Sequence, residues 1–160
     1  MAGYGLPNEQ HLSVVLQNYL SLEGHNIEVI NGSVSGSTTA GGLNIAEWTL
    51  SENNIDLMIL CLGANDMLRG INPKETKNNL IEIIKIAKSK NIKVIIAGMI
   101  APTSHGSNYK KSFDKIFEDL SNEYELQLIP FLLEGEAQKP EFNLSDGMHP
   151  KDKGTIIIGK

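Results

Sequence analysis

The sequence has few of the features that mark disulfide-linked, membrane-spanning or nucleic-acid-binding proteins. It contains one cysteine, Cys61, so neither an internal disulfide nor a cysteine-based zinc site can form. No apolar run is long enough to cross a bilayer. The first ten residues, "MAGYGLPNEQ", show neither the basic start nor the apolar stretch of a signal peptide. The net charge of -5 argues against a nucleic-acid or anionic-membrane partner.

What the sequence does contain is typical of an ordinary globular domain. Its 160 residues are 41% hydrophobic and 21% charged, enough for one domain with a real core. We therefore predict a single domain over residues 1–160. Strand-like and helix-like segments alternate along the chain, which predicts an α/β fold with a doubly wound (flavodoxin-like) parallel sheet in a three-layer sandwich.

The predicted strands are four short apolar segments. "IDLMILCL" is an unbroken apolar run of the kind that is buried on both faces of a parallel sheet. Two helices are predicted over residues 7–22 and 43–52. A third is predicted to begin after an Asn72 cap, and a fourth around an amphipathic stripe on residues 113–120. The four strand segments are "IEVIN" (27–31), "IDLMILCL" (55–62), "KVIIAGMI" (93–100) and "LQLIPFLL" (126–133).

The segment "DGMHP" places Asp146 three residues before His149. Histidine has a pKa suited to taking a proton from a hydroxyl nucleophile, and a carboxylate can hold its ring in the required tautomer. The spacing alone is also compatible with an unrelated loop Asp and His. Its position after the last predicted strand favours the catalytic interpretation, because ligand sites of open α/β sheets lie beyond the carboxyl ends of the strands.

Two further loops follow predicted strands. In "LGAND", the amide of Asn65 is a suitable fixed donor for the oxyanion formed in acyl transfer, or alternatively the start of an Asx turn. Its neighbour Asp66 would be a metal ligand or a helix cap, and no partner carboxylates with metal spacing accompany it. In "NGSVSG", a glycine lets the backbone approach a ligand closely, but the glycine spacing fits neither a P-loop nor a dinucleotide fingerprint.

Taken together, these blocks resemble the SGNH hydrolases (GDSL-type esterases), within the arylesterase, thioesterase and lysophospholipase branch. "AGYGL", "VINGSVSGST", "LGANDMLRGI" and "DGMHP" match ordered blocks of that family over nearly the whole chain. The resemblance implies hydrolysis of carboxylic esters or acyl thioesters through an acyl-serine intermediate, with no metal or organic cofactor. It assigns Asp146 and His149 to the catalytic pair, and Gly36 and Asn65 to the oxyanion hole.

The resemblance also implies an acyl-chain groove in "MLRGI", formed by Met67, Leu68 and Ile71, although ordinary loop packing explains these apolar side chains equally well. The family's first block, an apolar strand followed by Gly-Asp-Ser, has no counterpart here, so the resemblance provides no nucleophile in this chain. We therefore expect a sequence truncated at both ends, without the first central strand and the end of the last helix, and inactive as it stands.

Two alternatives remain open at this point. One is a non-catalytic acyl-binding fragment, and the other is a flavodoxin-like binding or signalling domain. The sequence predicts a small-molecule ester or thioester as partner, with no nucleic acid and no integral membrane segment. It leaves open the acyl-chain length, the oligomeric state and the compartment, which would be periplasmic or extracellular if a preceding segment carries a signal peptide and cytoplasmic otherwise.

Overall fold

The computed structural model describes residue 3 and residues 5–51, 54–135, 139, 141–143 and 150–158. By contacts, the chain forms two compact parts, one from residues 1–35 and 133–160 and the other from residues 36–132. The single domain over residues 1–160 stays a prediction. Two short 3₁₀ helices, Asn8–Gln10 and Thr103–His105, accompany the regular elements. In chain order these are α1 (Leu12–Leu22), α2 (Thr39–Thr49), β1 (Leu57–Leu60), α3 (Ala64–Leu68), α4 (Pro73–Ser89), β2 (Lys93–Ala97), α5 (Ser107–Tyr124), β3 (Gln127–Ile129) and α6 (Asp152–Ile158).

The part 36–132 is built on a parallel sheet. Three strands pair in the order β1-β2-β3, with Ile59 opposite Ile95 and Ile96 opposite Leu128. Helices α4 and α5 both contact β2, and α2 packs on α4. None of the helices in the described ranges is long and apolar enough to span a bilayer.

The core of this part consists of the apolar stripes predicted for the two long helices. Helical spacing places one apolar face of each helix toward the sheet, and these side chains are at most 3% exposed. On the sheet, Val94, Ile96 and Ala97 are buried, whereas Lys93 and Ile95 are more exposed. The buried helix residues are Leu80, Ile83, Ile84, Ala87, Phe113, Ile116, Phe117 and Leu120.

The prediction that the second apolar segment is buried on both faces is wrong. Strand β1 covers only Leu57–Leu60 and pairs with β2 alone among the described strands. Leu57 and Ile59 are 46% and 44% exposed, whereas Leu60 is 4% exposed. Complete burial of a strand requires a neighbour on each edge and a layer on each face, and β1 lies at the edge of the sheet that the described strands form. Cys61, which follows it, is half-buried, and burial raises the pKa of its thiol.

The predicted strand over residues 27–31 does not join the sheet. None of the residues 27–31 takes part in a β-ladder. Instead the side-chain amide of Gln17 donates to the Ile27 carbonyl at 2.7 Å and accepts from the Val29 N–H at 2.6 Å. One side chain thus supplies the hydrogen bonds that a neighbouring strand would otherwise make.

Helix ends follow from local capping. The helix predicted over residues 7–22 is interrupted at His11, whose backbone is extended, so α1 begins at Leu12. It ends as predicted at Leu22, and Gly24 beyond that end has a φ of 84° and donates to the Ser21 carbonyl. Helix α2 begins four residues earlier than predicted, because the Thr38 side chain accepts from the Gly41 N–H. The Asn72 cap of α4 is confirmed by its 3.0 Å bond from the Lys74 N–H.

Candidate active site

Gly36 lies at the exposed turn that precedes α2. Its φ of 74° falls in the left-handed region that favours glycine, and a Cβ there would meet no atom within 4 Å. The guanidinium of Arg69 donates to the Gly36 carbonyl oxygen at 3.0 Å. The Cα of Gly36 is therefore open toward solvent, whereas its carbonyl oxygen is hydrogen-bonded to Arg69.

Asn65 is the second residue of α3 and is half-buried. The helix begins at Gly63, whose φ is 118° and where a Cβ would lie 3.3 Å from the Phe117 ring. No hydrogen bond from the Asn65 side chain occurs within the described ranges, so the Asx-turn alternative does not hold there. Its carbonyl accepts from the Arg69 N–H at 3.2 Å, which places the two side chains one helical turn apart on the same face. Arg69, which bonds to the Gly36 carbonyl, therefore lies on the same face of α3 as Asn65.

Asp66 is completely buried and serves as a cap for a helix other than its own. Its carboxylate accepts from the Thr39 N–H at 2.8 Å, from the Thr39 hydroxyl at 2.5 Å and from the Thr76 hydroxyl at 3.3 Å. Asn79 in turn donates to the Thr39 hydroxyl at 3.0 Å. Of the two roles considered for Asp66, these contacts match the helix cap. No group of three or more metal-ligating side chains occurs in the described part of the chain.

The segment Met67–Ile71 is held at both of its ends. The Ile71 N–H donates to the Asp66 carbonyl at 2.9 Å, and the Tyr109 hydroxyl donates to the Ile71 carbonyl at 3.0 Å. A Cβ on Gly70 would lie 3.3 Å from the His105 ring, so the loop after β1 contacts the loop after β2. Leu68 is 46% exposed, while Met67 and Ile71 are half-buried. Burial, and after it the charge of Asp66, raises the pKa of Tyr109.

Four loops follow the predicted strands, over residues 32–42, 63–72, 101–108 and 145–150. The first three have residues in the part 36–132, and these residues contact one another. The turn at Gly36 is bonded to Arg69, and residues 70 and 71 contact His105 and Tyr109. Helix α2 also packs closely on the end of β1, since a Cβ on Gly42 would overlap the Leu62 side chain. The fourth loop holds Asp146 and His149, which lie outside the described residues, so their roles stay predictions.

The sequence analysis missed several residues that organise this region. Thr39, Thr76 and Asn79 surround Asp66, and Tyr109 fixes Ile71. One signal was available, because a Thr pair directly after a glycine-rich loop is typical of a helix N-terminus. The pairing of Asp66 with Thr39, which lies 27 residues earlier, leaves no local signature.

Comparison with known proteins identifies the family. The sequence model of the GDSL-like Lipase/Acylhydrolase family matches residues 1–155. The chain is 38% identical to the arylesterase of Vibrio mimicus, over 99% of this chain and 80% of the arylesterase. It is 34% identical to Esterase TesA of Pseudomonas aeruginosa, over 93% of this chain and 74% of that protein.

Solved structures agree with this assignment. The crystal structure of TesA superposes with a TM-score of 0.92 at 32% identity, covering 98% of this chain and 87% of TesA. The psychrotrophic esterase EstA from Pseudoalteromonas superposes with a TM-score of 0.93 at 30% identity, over 99% of this chain and 86% of EstA. The α/β fold predicted from the sequence is therefore confirmed, and the flavodoxin-like signalling alternative is wrong. The chain belongs to the GDSL-like lipase/acylhydrolase family.

Proposed function

We propose that the reaction of this protein is hydrolysis of carboxylic esters or acyl thioesters through an acyl-serine intermediate. A serine oxygen attacks the acyl carbon while its proton passes to His149, whose ring is oriented by Asp146. The alcohol or thiol leaves with that proton, and water then releases the acid from the serine. The N–H of Gly36 and the amide of Asn65 stabilise the oxyanion in both steps.

The observation that carries this proposal is the relation of Asn65 to the Gly36 turn. Arg69 bonds to the Gly36 carbonyl from the helical face that also carries Asn65. The Asn65 amide has no hydrogen-bond partner within the described residues, and the Gly36 turn is open. We propose that the Gly36 N–H and the Asn65 amide are directed at one opening, because a developing oxyanion requires such neutral donors. Family membership supports the same reaction.

The names of similar proteins and the apolar residues of the segment Met67–Ile71 support the proposed substrate class. Similar proteins are described as an arylesterase and as a thioesterase and lysophospholipase, so both oxygen and sulfur esters are candidate substrates. Leu68 is an exposed apolar residue three positions after Asn65, and Met67 and Ile71 are half-buried. We propose that these three residues contact the acyl chain.

The nucleophile is the remaining requirement. The tripeptide Gly-Asp-Ser does not occur in the 160 residues. Ser33, Ser35, Ser37 and Ser104 occupy loops of the right kind but lack that context, and a nucleophile must be placed within roughly half an ångström. We propose that the serine belongs to a Gly-Asp-Ser block preceding "AGYGL", and that the chain without this block does not turn over.

The test begins with the encoding DNA directly upstream of Met1, where an in-frame apolar run ending in Gly-Asp-Ser is expected. The chain extended by that block should hydrolyse p-nitrophenyl butyrate. The block with Ala for Ser, and separately His149→Ala, should abolish turnover. Hydrolysis that survives His149→Ala would refute the mechanism, and an inactive but folded extended chain would refute the activity.

The absence of the tripeptide also favours a second candidate, a non-catalytic acyl-binding protein. A fluorophosphonate probe on the unextended chain separates the two. Covalent labelling would show that a serine already present is reactive. Absence of labelling together with saturable binding of a fatty acid would support the binding protein.

A further inference from the structure

The carboxylate of Asp66 is a buried charge with an unusual set of partners. It is completely buried, and none of the ion pairs among the described residues includes it. A buried carboxylate is costly unless hydrogen bonds replace its hydration. Three donors do so here: the N–H and hydroxyl of Thr39 and the hydroxyl of Thr76.

These partners connect the elements that carry the two candidate oxyanion donors. Thr39 is the first residue of α2 and lies three residues after Gly36. Asp66 directly follows Asn65 in α3. Thr76 and Asn79 on α4 hold the pair from a third side, since Asn79 donates to the same Thr39 hydroxyl. The Asp66–Thr39 contact therefore sets the distance between the helix bearing Asn65 and the turn bearing Gly36.

We propose that Asp66 is a positioning residue for the oxyanion hole, acting through Thr39. It does not touch substrate, because its side chain is sealed among α2, α3 and α4. Its function is to hold two neutral donors at one spacing, which matters because a misplacement of about 1 Å can cost about 100-fold in rate. The kinetic consequence rests on the proposed function, whereas the structural consequence does not.

The substitution Asp66→Asn tests the contact with little change in volume. One acceptor oxygen becomes an NH₂ group, which cannot accept from the Thr39 N–H. Asp119→Asn is the matched control, because it removes the same charge from an exposed carboxylate paired with Lys77. A second pair of variants changes Thr39, the hydrogen-bond partner of Asp66. Thr39→Ser keeps both the N–H and the hydroxyl donor, whereas Thr39→Val loses the hydroxyl.

The first measurement uses the unextended chain labelled with ¹⁵N. We expect the NMR signals of the Asn65 side-chain amide and the Gly36 N–H to shift in Asp66→Asn and Thr39→Val. Asp119→Asn and Thr39→Ser should leave both signals in place. Unchanged signals in a folded Asp66→Asn protein would overturn the proposal.

The second measurement uses the extended chain with p-nitrophenyl butyrate. In Asp66→Asn we expect kcat to fall at least about 10-fold with KM within about twofold. Thr39→Ser should retain activity that Thr39→Val loses. A loss confined to thermal stability, or equal effects of the two Thr39 variants, would assign Asp66 a structural role only. If the extended chain with Asp66 is inactive, the proposed function fails, and the NMR comparison still decides whether Asp66 positions the donors.

Discussion

The guanidinium of Arg69 donates a hydrogen bond to the carbonyl oxygen of Gly36 across 3.0 Å. Arg69 ends the short helix that carries Asn65, and Gly36 precedes the helix capped by Asp66. The Gly36 turn is thus connected to α3 twice, once at the surface through Arg69 and once in the interior through Asp66. The exposed connection is the weaker of the two, because water competes for both of its partners.

Replacement of Arg69 by Gln should loosen the Gly36 turn without unfolding the protein. Both groups are exposed, so the free energy of unfolding should fall by less than about 1 kcal/mol. Hydrogen–deuterium exchange of the peptide containing Gly36 should become faster, while peptides from α4 keep their protection. Lys115→Gln, on the exposed side of α5, removes a positive charge elsewhere and should leave exchange at Gly36 unchanged. Unaltered exchange in Arg69→Gln would mean that the bond does not hold the turn.

Tyr109→Phe should destabilise the segment Met67–Ile71. The variant leaves the Ile71 carbonyl without its 3.0 Å partner, at a cost of about 1 kcal/mol. For a chain of this size, that corresponds to a fall in Tm of about 2–4 °C, measurable by circular dichroism. Tyr124→Phe is the matched control, since the Tyr124 hydroxyl makes no hydrogen bond within the described ranges.

The same residue predicts a pH dependence at alkaline pH. Burial and the charge of Asp66 raise the pKa of Tyr109 above its ordinary value, so folding favours the protonated phenol. Its contribution to stability is complete below the unfolded pKa of about 10 and is lost as the pH rises through the higher folded value. In an absorbance titration of the folded chain, Tyr109→Phe should remove a component that ionises above the ordinary tyrosine pKa. An unchanged titration curve would contradict the assignment.

Local patterns were sufficient to predict the long helices and the parallel sheet. The apolar stripes of α4 and α5 repeat at helical spacing. Asn72 and Pro73 form a signal for the start of a helix that involves only neighbouring residues. Edge or interior placement of a strand depends instead on which neighbours pair with it. That is why β1 was predicted as an interior strand, and why residues 27–31 were predicted to pair.

In the candidate site, too, local patterns mark some residues and leave the long-range contacts unpredicted. Asn65 was proposed because it directly follows a predicted apolar strand, whereas Gly36 was assigned only through the resemblance to the SGNH hydrolases. The contacts of Asp66 with Thr39, and of Tyr109 with Ile71, join residues 27 and 38 positions apart. No local periodicity predicts such pairs, since they arise only when the loops meet in the fold.

Gly63→Ala should lower the free energy of unfolding more than a glycine replacement that only strains the backbone. Gly63 has a φ of 118°, and a Cβ would lie 3.3 Å from Phe117 and 3.5 Å from Phe113 in the core. Backbone strain and crowding together should cost about 2–4 kcal/mol. Gly24→Ala isolates the backbone cost, since its φ is 84° and a Cβ there meets nothing within 4 Å. Equal losses of unfolding free energy in urea for the two variants would show that crowding at Gly63 contributes nothing.

The exposed side chains of β1 predict concentration-dependent self-association. Ile59 is 44% exposed on a strand that pairs on one side only among the described strands, and such apolar edges promote strand pairing between molecules. Ile59→Lys places a charge on that edge and should reduce light scattering across a concentration series. Leu22→Lys adds the same charge to a side chain that is 86% exposed on a helix, α1. Suppression by Ile59→Lys alone would locate the association at β1. Equal suppression by both variants would show that loss of any exposed apolar side chain, and not the strand edge, reduces the association.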